Sequence, residues 1–283
     1  MLIAGCGYVG VRLASRLARE GASVFALRRG RGPLPVGVEP VVADLARIET
    51  LGSLPPRIDA VVYTAAPGTS DEAAYRSIYL DGVDNLLRAI AERGERPPRF
   101  VFASSTAVYG QDRGEWVDET SPTEPRRWNG ETLLAAERLL AARLPEAIAV
   151  RFGGIYGPGR TRLVDQVRRG EARLRKGEHF TNRIHRDDAA RALALLALAD
   201  APAHRCYLGV DDEPADESDV LTYLAELLGV PAPPPVDDGR RAPRRAGSKR
   251  CRNDRLKAEG LALRFPTFRE GYADMLRAAR AAR

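Results

Sequence analysis

Cysteine is scarce in this chain of 283 residues, and Cys6, Cys206 and Cys251 form no CxxC pair and no metal-like spacing. That scatter argues against a disulfide framework and a structural metal, and fits free thiols in a reducing cytosol. Long apolar runs are missing as well. The longest, "ALALLALA" at 192–199, is far short of the ~20 residues a membrane span needs. Nothing at the start has the charged segment and cleavage site of a signal peptide, since Met1 runs straight into "LIAGCG". A cytoplasmic protein without membrane attachment is therefore expected. There is no internal repeat and no recognised nucleic-acid-binding motif, although "GRRAPRRAGSKRCR" from Gly239 to Arg252 is densely basic. Lys and Arg exceed Asp and Glu by 44 − 38 = 6. Spread along the chain, this excess suits phosphorylated small ligands better than a nucleic-acid groove.

What is present is alternation. "MLIAG" is a short apolar run closed by glycine, and "VRLASRLAREG" puts Leu13, Ala14, Leu17 and Ala18 on one helical face before Gly21 ends the helix. "SVFALRR", "VEPVVADL", "IDAVVYTAA", "RFVFASS" and "AIAVRFGGIYG" then read as strands, interleaved with the helices "DGVDNLLRAIAERG" and "ETLLAAERLLAAR". Strands apolar throughout and separated by helices imply a parallel sheet covered on both faces, a Rossmann-type doubly wound α/β fold. Past Gly157 the regularity fades, although "DDAARALALLALAD" and "SDVLTYLAELLG" are clear helices. The Pro- and Arg-rich stretch 231–247, without apolar period, reads as a linker or lid. The expected division is a main domain of residues 1–157, rejoined by about 184–205, and a smaller discontinuous C-terminal lobe of 158–183 and 206–283.

"GCGYVG" places Gly5, Gly7 and Gly10 in GxGxxG spacing between the first strand and the first helix, with Tyr8 and Val9 inside the loop. Glycine suits a tight turn, close approach of a pyrophosphate to the backbone and close helix–strand packing, and the helix N-terminus favours the phosphate charge. A dinucleotide is expected there. At the end of the second strand, where an acid would bond the adenosine ribose of NAD, stand Arg28 and Arg29. NADP(H) is therefore favoured over NAD(H). Asp44, beside Leu45 in "VADL", is a candidate for the adenine amino group or else a helix cap. Cys6 in the loop is either a redox sensor or a space filler.

The segments "GCGYVG", "VADL", "DAVVYTAA", "FASSTAVYG", "DETSPTEP", "RFGGIYGPGR" and "NRIHRDDAARAL" together resemble the extended short-chain dehydrogenases/reductases, the group that contains NAD(P)-dependent sugar epimerases and dehydratases. The resemblance covers nearly the whole chain. It implies that Ala65 and Ala66 border the cofactor, that Phe152 and Gly153 lie near the nicotinamide, and that Ser105 hydrogen-bonds a substrate oxygen. It also implies a catalytic Tyr, four residues before a Lys, in "EPRRWNGETLLAAERLL". The most natural register gives Trp128 and Thr132, and sliding by one gives Asn129 and Leu133. Neither register supplies the pair, and Tyr79 stands at the usual Asn position. The likeness is thus to the atypical branch that keeps GxGxxG without YxxxK.

Candidates to replace the missing acid are Tyr109, Tyr156, Glu131 and His185, each with a plainer role: packing for the two tyrosines, a first-turn helix charge for Glu131 and a structural hydrogen bond for His185. Trp128 either faces the nicotinamide or covers the start of its helix, with Asn129 as N-cap. Two functions remain open: an NADP-dependent oxidoreductase or epimerase/dehydratase-like enzyme acting on a phosphorylated or nucleotide-linked small molecule, and a catalytically inactive NADP(H)-binding sensor. No metal is expected, and the chain is expected to act as a monomer or homodimer.

Overall fold

The computed structural model describes residues 1–97, 99–236 and 247–281. Its centre is a seven-stranded parallel sheet built from β1 (Leu2–Ala4), β2 (Val24–Arg28), β3 (Val38–Val42), β4 (Ala60–Tyr63), β5 (Arg99–Ser105), β6 (Ile148–Phe152) and β7 (Cys206–Gly209). They lie in the order β3-β2-β1-β4-β5-β6-β7. The connections reverse direction between β1 and β4, where a doubly wound sheet opens a crevice at its carboxyl edge.

Apolar residues on both faces of each strand explain why both faces are covered. Ile3, Val62 and Val101 join one core with Leu13 and Leu17 of helix α1 (Gly10–Arg19), together with residues of the helix Arg186–Leu198. Leu2, Val61, Tyr63, Phe100 and Phe102 join another with the helices Gly82–Ala91 and Trp128–Arg143. The helix that begins at Glu72 is interrupted by a five-residue π turn, Ser77–Asp81, before it continues from Gly82. Tyr63 donates its hydroxyl proton to the Ile78 carbonyl inside that turn at 2.5 Å.

A third core, with Val164, Val167, Val220, Leu224, Phe268, Tyr272 and Met275, forms the smaller lobe around the helices Arg162–Arg168, Glu217–Leu228 and Phe268–Ala281. The chain passes repeatedly between the two bodies. Cys206–Gly209, which the sequence reading assigned to the lobe, hydrogen-bonds to β6 as the seventh strand of the main sheet. The later Leu256 and Leu261 pack on the same side of that sheet as α1. In the stretch 231–247, Val236 donates to the Leu174 carbonyl and Leu174 to that of Pro234, so this stretch starts as paired backbone rather than a loose linker. The rest of it, 237–246, lies outside the described residues. Among the described residues no helix is long and apolar enough to cross a membrane.

Candidate active site

A cleft of about 700 Å³ runs along the carboxyl edge of the sheet. Its wall takes Gly5–Val9 after β1, Leu27–Gly30 at the end of β2, Ala43–Leu45 after β3, Thr64–Ala66 after β4, Ala103–Ser105 of β5, and Phe152 and Gly153 at the end of β6. Gly5, Gly7, Tyr8, Val9, Arg28, Arg29, Asp44, Leu45, Ala65, Ala66, Ser105, Phe152 and Gly153 are thereby brought to one surface.

The three glycines of the loop answer to different neighbours. A Cβ on Gly5 would sit 2.2 Å from the Ala65 Cα, and one on Gly10 would sit 2.9 Å from both the Gly5 carbonyl oxygen and the Thr64 hydroxyl. Those two glycines let strand and helix close on each other. A Cβ on Gly7 would meet nothing nearer than the Gly5 oxygen at 4.0 Å. Protein packing therefore gives no reason for glycine at position 7, whereas a ligand approaching the backbone from the cleft does. Gly10 is buried behind the loop and does not line the cleft.

At the β2 corner, Arg28 donates to the carbonyls of Gly32 and Pro33 in its own loop, while Arg29 is exposed and has no ion pair among the described residues. Asp44 accepts the Ala46 N–H at 3.1 Å, a local turn contact. Cys6 is 2% exposed and its burial pushes the thiol up to about 11. It fills space as a neutral thiol, and the redox reading has no support because reactivity needs the thiolate.

The other end of the cleft carries hydroxyls. Ser104 donates to Glu137 at 2.5 Å, and Glu137 is paired with Arg151 (2.7 Å), which in turn donates to the Tyr109 hydroxyl (2.7 Å). With its proton so committed, Ser104 has only acceptor capacity left to offer the cleft it lines. Ser105 does the reverse. Its Oγ accepts the Ala107 N–H at 3.2 Å, capping the short helix Thr106–Val108, and among the described residues no acceptor takes its own proton, which is left for the cleft.

The helix expected to carry the catalytic pair begins at Trp128, not beyond it, and no side chain caps it, so Asn129 is not its N-cap. Asn129 and Leu133 line the cleft, whereas Trp128 and Thr132 do not. Thr132 is 4% exposed and its hydroxyl donates back to the Trp128 carbonyl at 2.8 Å. The Trp128 indole meets the Tyr75 ring edge-on at 4.9 Å. The register shifted by one is thus the one that faces the site, and it carries an amide and an isobutyl group.

None of the four candidate acids lines the cleft. Tyr109 is buried and accepts a hydrogen bond from Arg151, and Glu131 is exposed. Tyr156 stacks on Tyr272 at 4.5 Å, and His185 caps its helix by accepting the Asp187 N–H at 3.2 Å. The phenols that do line the cleft are Tyr8, Tyr75 and Tyr79. Tyr79 lies in the π turn, edge-on to Phe102 at 6.1 Å. Burial pushes its phenol well above the usual range. Sequence reasoning noticed Tyr79 only as a departure from Asn and missed Tyr75, Ser104 and Arg160, although "GIYGPGR" was a visible segment.

A family model for the NAD dependent epimerase/dehydratase family matches residues 1–207. A solved structure from Methylobacillus flagellatus, described as an NAD-dependent epimerase/dehydratase, is 37% identical, covering 99% of this chain and 98% of its own, with a TM-score of 0.81. MoeE5, solved in complex with UDP-glucose and NAD, is 26% identical over 99% of this chain and 98% of its own, with a TM-score of 0.80. A curated relative, the 3-diazoavenalumate denitrifying reductase of a Streptomyces species, is 28% identical, covering 96% of this chain and 98% of that protein.

Proposed function

The chain belongs to the NAD dependent epimerase/dehydratase family, and from that premise we propose that it is an NADPH-dependent reductase of a small carbonyl compound. One observation carries the proposal: the glycine loop and Ser105 open on the same cleft, one end built for a dinucleotide phosphate and the other holding a free hydroxyl donor. The residues present fit a pyridine dinucleotide, because Gly7 offers its backbone across open space at the start of α1. Gly5–Val9 would hold the pyrophosphate, Arg28 and Arg29 the adenosine 2′-phosphate, Asp44 and Leu45 the adenine, and Ala65, Ala66, Phe152 and Gly153 the nicotinamide half. When bound, the reduced cofactor supplies a hydride.

The chain's own groups set the direction. Ser105 donates to the carbonyl oxygen, and Tyr79 supplies the proton that the resulting alkoxide takes up. Leu133 lines the cleft in place of a lysine, and burial keeps the Tyr79 phenol neutral. A phenol held neutral can give its proton to an alkoxide, the stronger base, but takes none near neutral pH, so reduction suits this site better than epimerisation, which needs a base as well. The reductase name of the Streptomyces relative and the UDP-glucose held by MoeE5 support a reductive reaction on a phosphorylated or nucleotide-linked substrate. The smaller lobe, 158–183 with segments after 209, would close over that substrate.

The test is a fluorescence titration with NADPH and NADH, followed by NADPH oxidation across ketones, aldehydes and sugar nucleotides. NADPH should bind at least roughly tenfold tighter, with the margin lost in Arg28→Asp or Arg29→Asp. Ser105→Ala should lower any turnover found by ~10²–10³. Tighter NADH binding unchanged by these substitutions sinks the cofactor assignment. NADPH binding with no turnover on any of these compounds would favour the sensor function.

A further inference from the structure

The phosphate end of the cleft carries more positive charge than its surroundings balance. Arg160 follows the short strand Gly154–Tyr156, and its N–H donates to the Gly157 carbonyl at 3.0 Å, turning the segment back toward the glycine loop. Its guanidinium lies 4.0 Å from the centroid of the Tyr8 ring and donates to the Ile155 carbonyl at 3.2 Å. It lines the cleft together with Gly7, Tyr8 and Val9, and among the described residues no carboxylate pairs with it. A second guanidinium, that of Arg186, lies 4.7 Å from the same centroid. The nearby acid is Asp187, which takes Arg12 by both oxygens at 2.8 and 2.9 Å and reaches Arg186 only at 3.6 Å. Arg12, Arg186 and Arg264 thus share one carboxylate, while Arg160 lies with Arg186 over the same Tyr8 ring.

The close approach is built in. Gly157 has φ 142°, and a Cβ there would lie 3.1 Å from both the Tyr8 hydroxyl and the His185 Nε2. Only glycine lets the segment pass this near the loop while turning Arg160 into the cleft. A guanidinium held on an aromatic face beside the open backbone of Gly7 is placed to bond an anion in two directions at once.

We propose that Arg160 is a further cofactor-binding residue, reaching from the far side of the cleft to the dinucleotide pyrophosphate with the Tyr8 ring as its shelf. This rests on the proposed dinucleotide site but goes beyond the glycine loop, because it makes affinity depend on a side chain from the segment that leads into the smaller lobe. Arg160 serves the part common to both cofactors, so it contributes equally to NADPH and NADH and leaves the choice between them to the β2 corner.

The experiment titrates the full chain and the variants Arg160→Ala and Arg160→Lys with NADPH and with NADH. Arg160→Ala should weaken both cofactors by the same factor, roughly tenfold to a hundredfold, leaving their ratio unchanged. Arg160→Lys, which keeps the charge but not the planar fork, should fall between the alanine variant and the native chain. An unaltered melting temperature shows that the variants fold. A change under about twofold for both cofactors overturns the assignment, and so does a loss confined to NADPH, which would put Arg160 on the 2′-phosphate. If the native chain binds neither dinucleotide, the dinucleotide site itself is wrong and the clamp falls with it.

Discussion

Gly7 and Gly10 belong to one loop, yet substitution should separate them. Gly10→Ala forces a Cβ to within 2.9 Å of the Gly5 oxygen, and overpacking of this kind costs about 1–3 kcal/mol. Gly7→Val meets open space on the protein side and should change stability by less than about 1 kcal/mol. Its cost should appear in the titration, as a loss of NADPH affinity of tenfold or more from blocked access to the backbone. Urea unfolding and fluorescence titration on the same variants read the two effects apart. Tyr79→Phe removes a hydroxyl proton and little else. It should lower any carbonyl reduction by ~10²–10⁴ while NADPH affinity stays within about twofold. An unchanged turnover would remove Tyr79 from the chemistry. The glycines were legible in the sequence because their spacing is local, whereas Tyr79 was not, since its place in the cleft depends on a π turn that no residue type announces.

The helix Trp128–Arg143 shows what spacing can and cannot decide. Without a Tyr or a Lys to anchor it, a shift of one residue rotates every side chain by about 100°, and only packing chooses. The buried Thr132 bonded to its own helix and Trp128 laid against Tyr75 turn Asn129, Leu133 and Glu137 toward β5. Those three recur at i, i+4 and i+8, so Glu137 was the available anchor, and its partner Ser104 lies on another element. The Glu137–Arg151 pair is about nine-tenths buried on both sides. Arg151→Met should therefore cost about 3–5 kcal/mol in chemical denaturation, because it strands a carboxylate in the core. Adding Glu137→Leu should recover most of that loss while leaving Ser104 without its acceptor.

For the molecule as a whole, the alternation of apolar strands and helices disclosed the sheet, and six of its seven strands were read from it. Cys206–Gly209 is no shorter than β1 or β4, but it escaped because it follows Gly157, past which the alternation of strands and helices fades. The joint between lobes contains His185, which lies edge-on to Tyr156 at 5.4 Å and against Phe265 at 4.2 Å. Its burial lowers the imidazole to about 4, with Asp187 opposing the fall. In the unfolded chain it titrates near its ordinary ~6.5, so between these values the unfolded state binds more protons. Stability contributed by the neutral ring is complete above about pH 6.5 and lost as pH falls toward 4. Urea midpoints at pH 7.5 and 5.0 should show this drop, and His185→Gln should flatten it. The lacing of the two bodies also has a consequence for synthesis. The free edge of β6 waits for residues 206–209, and the face that receives Leu256 and Leu261 waits until nearly the whole chain has left the ribosome. During that interval an unpaired strand edge and an uncovered apolar face are open to neighbouring chains, so a ribosome stalled anywhere between β6 and Leu261 would release a product fit for aggregation rather than a smaller folded protein.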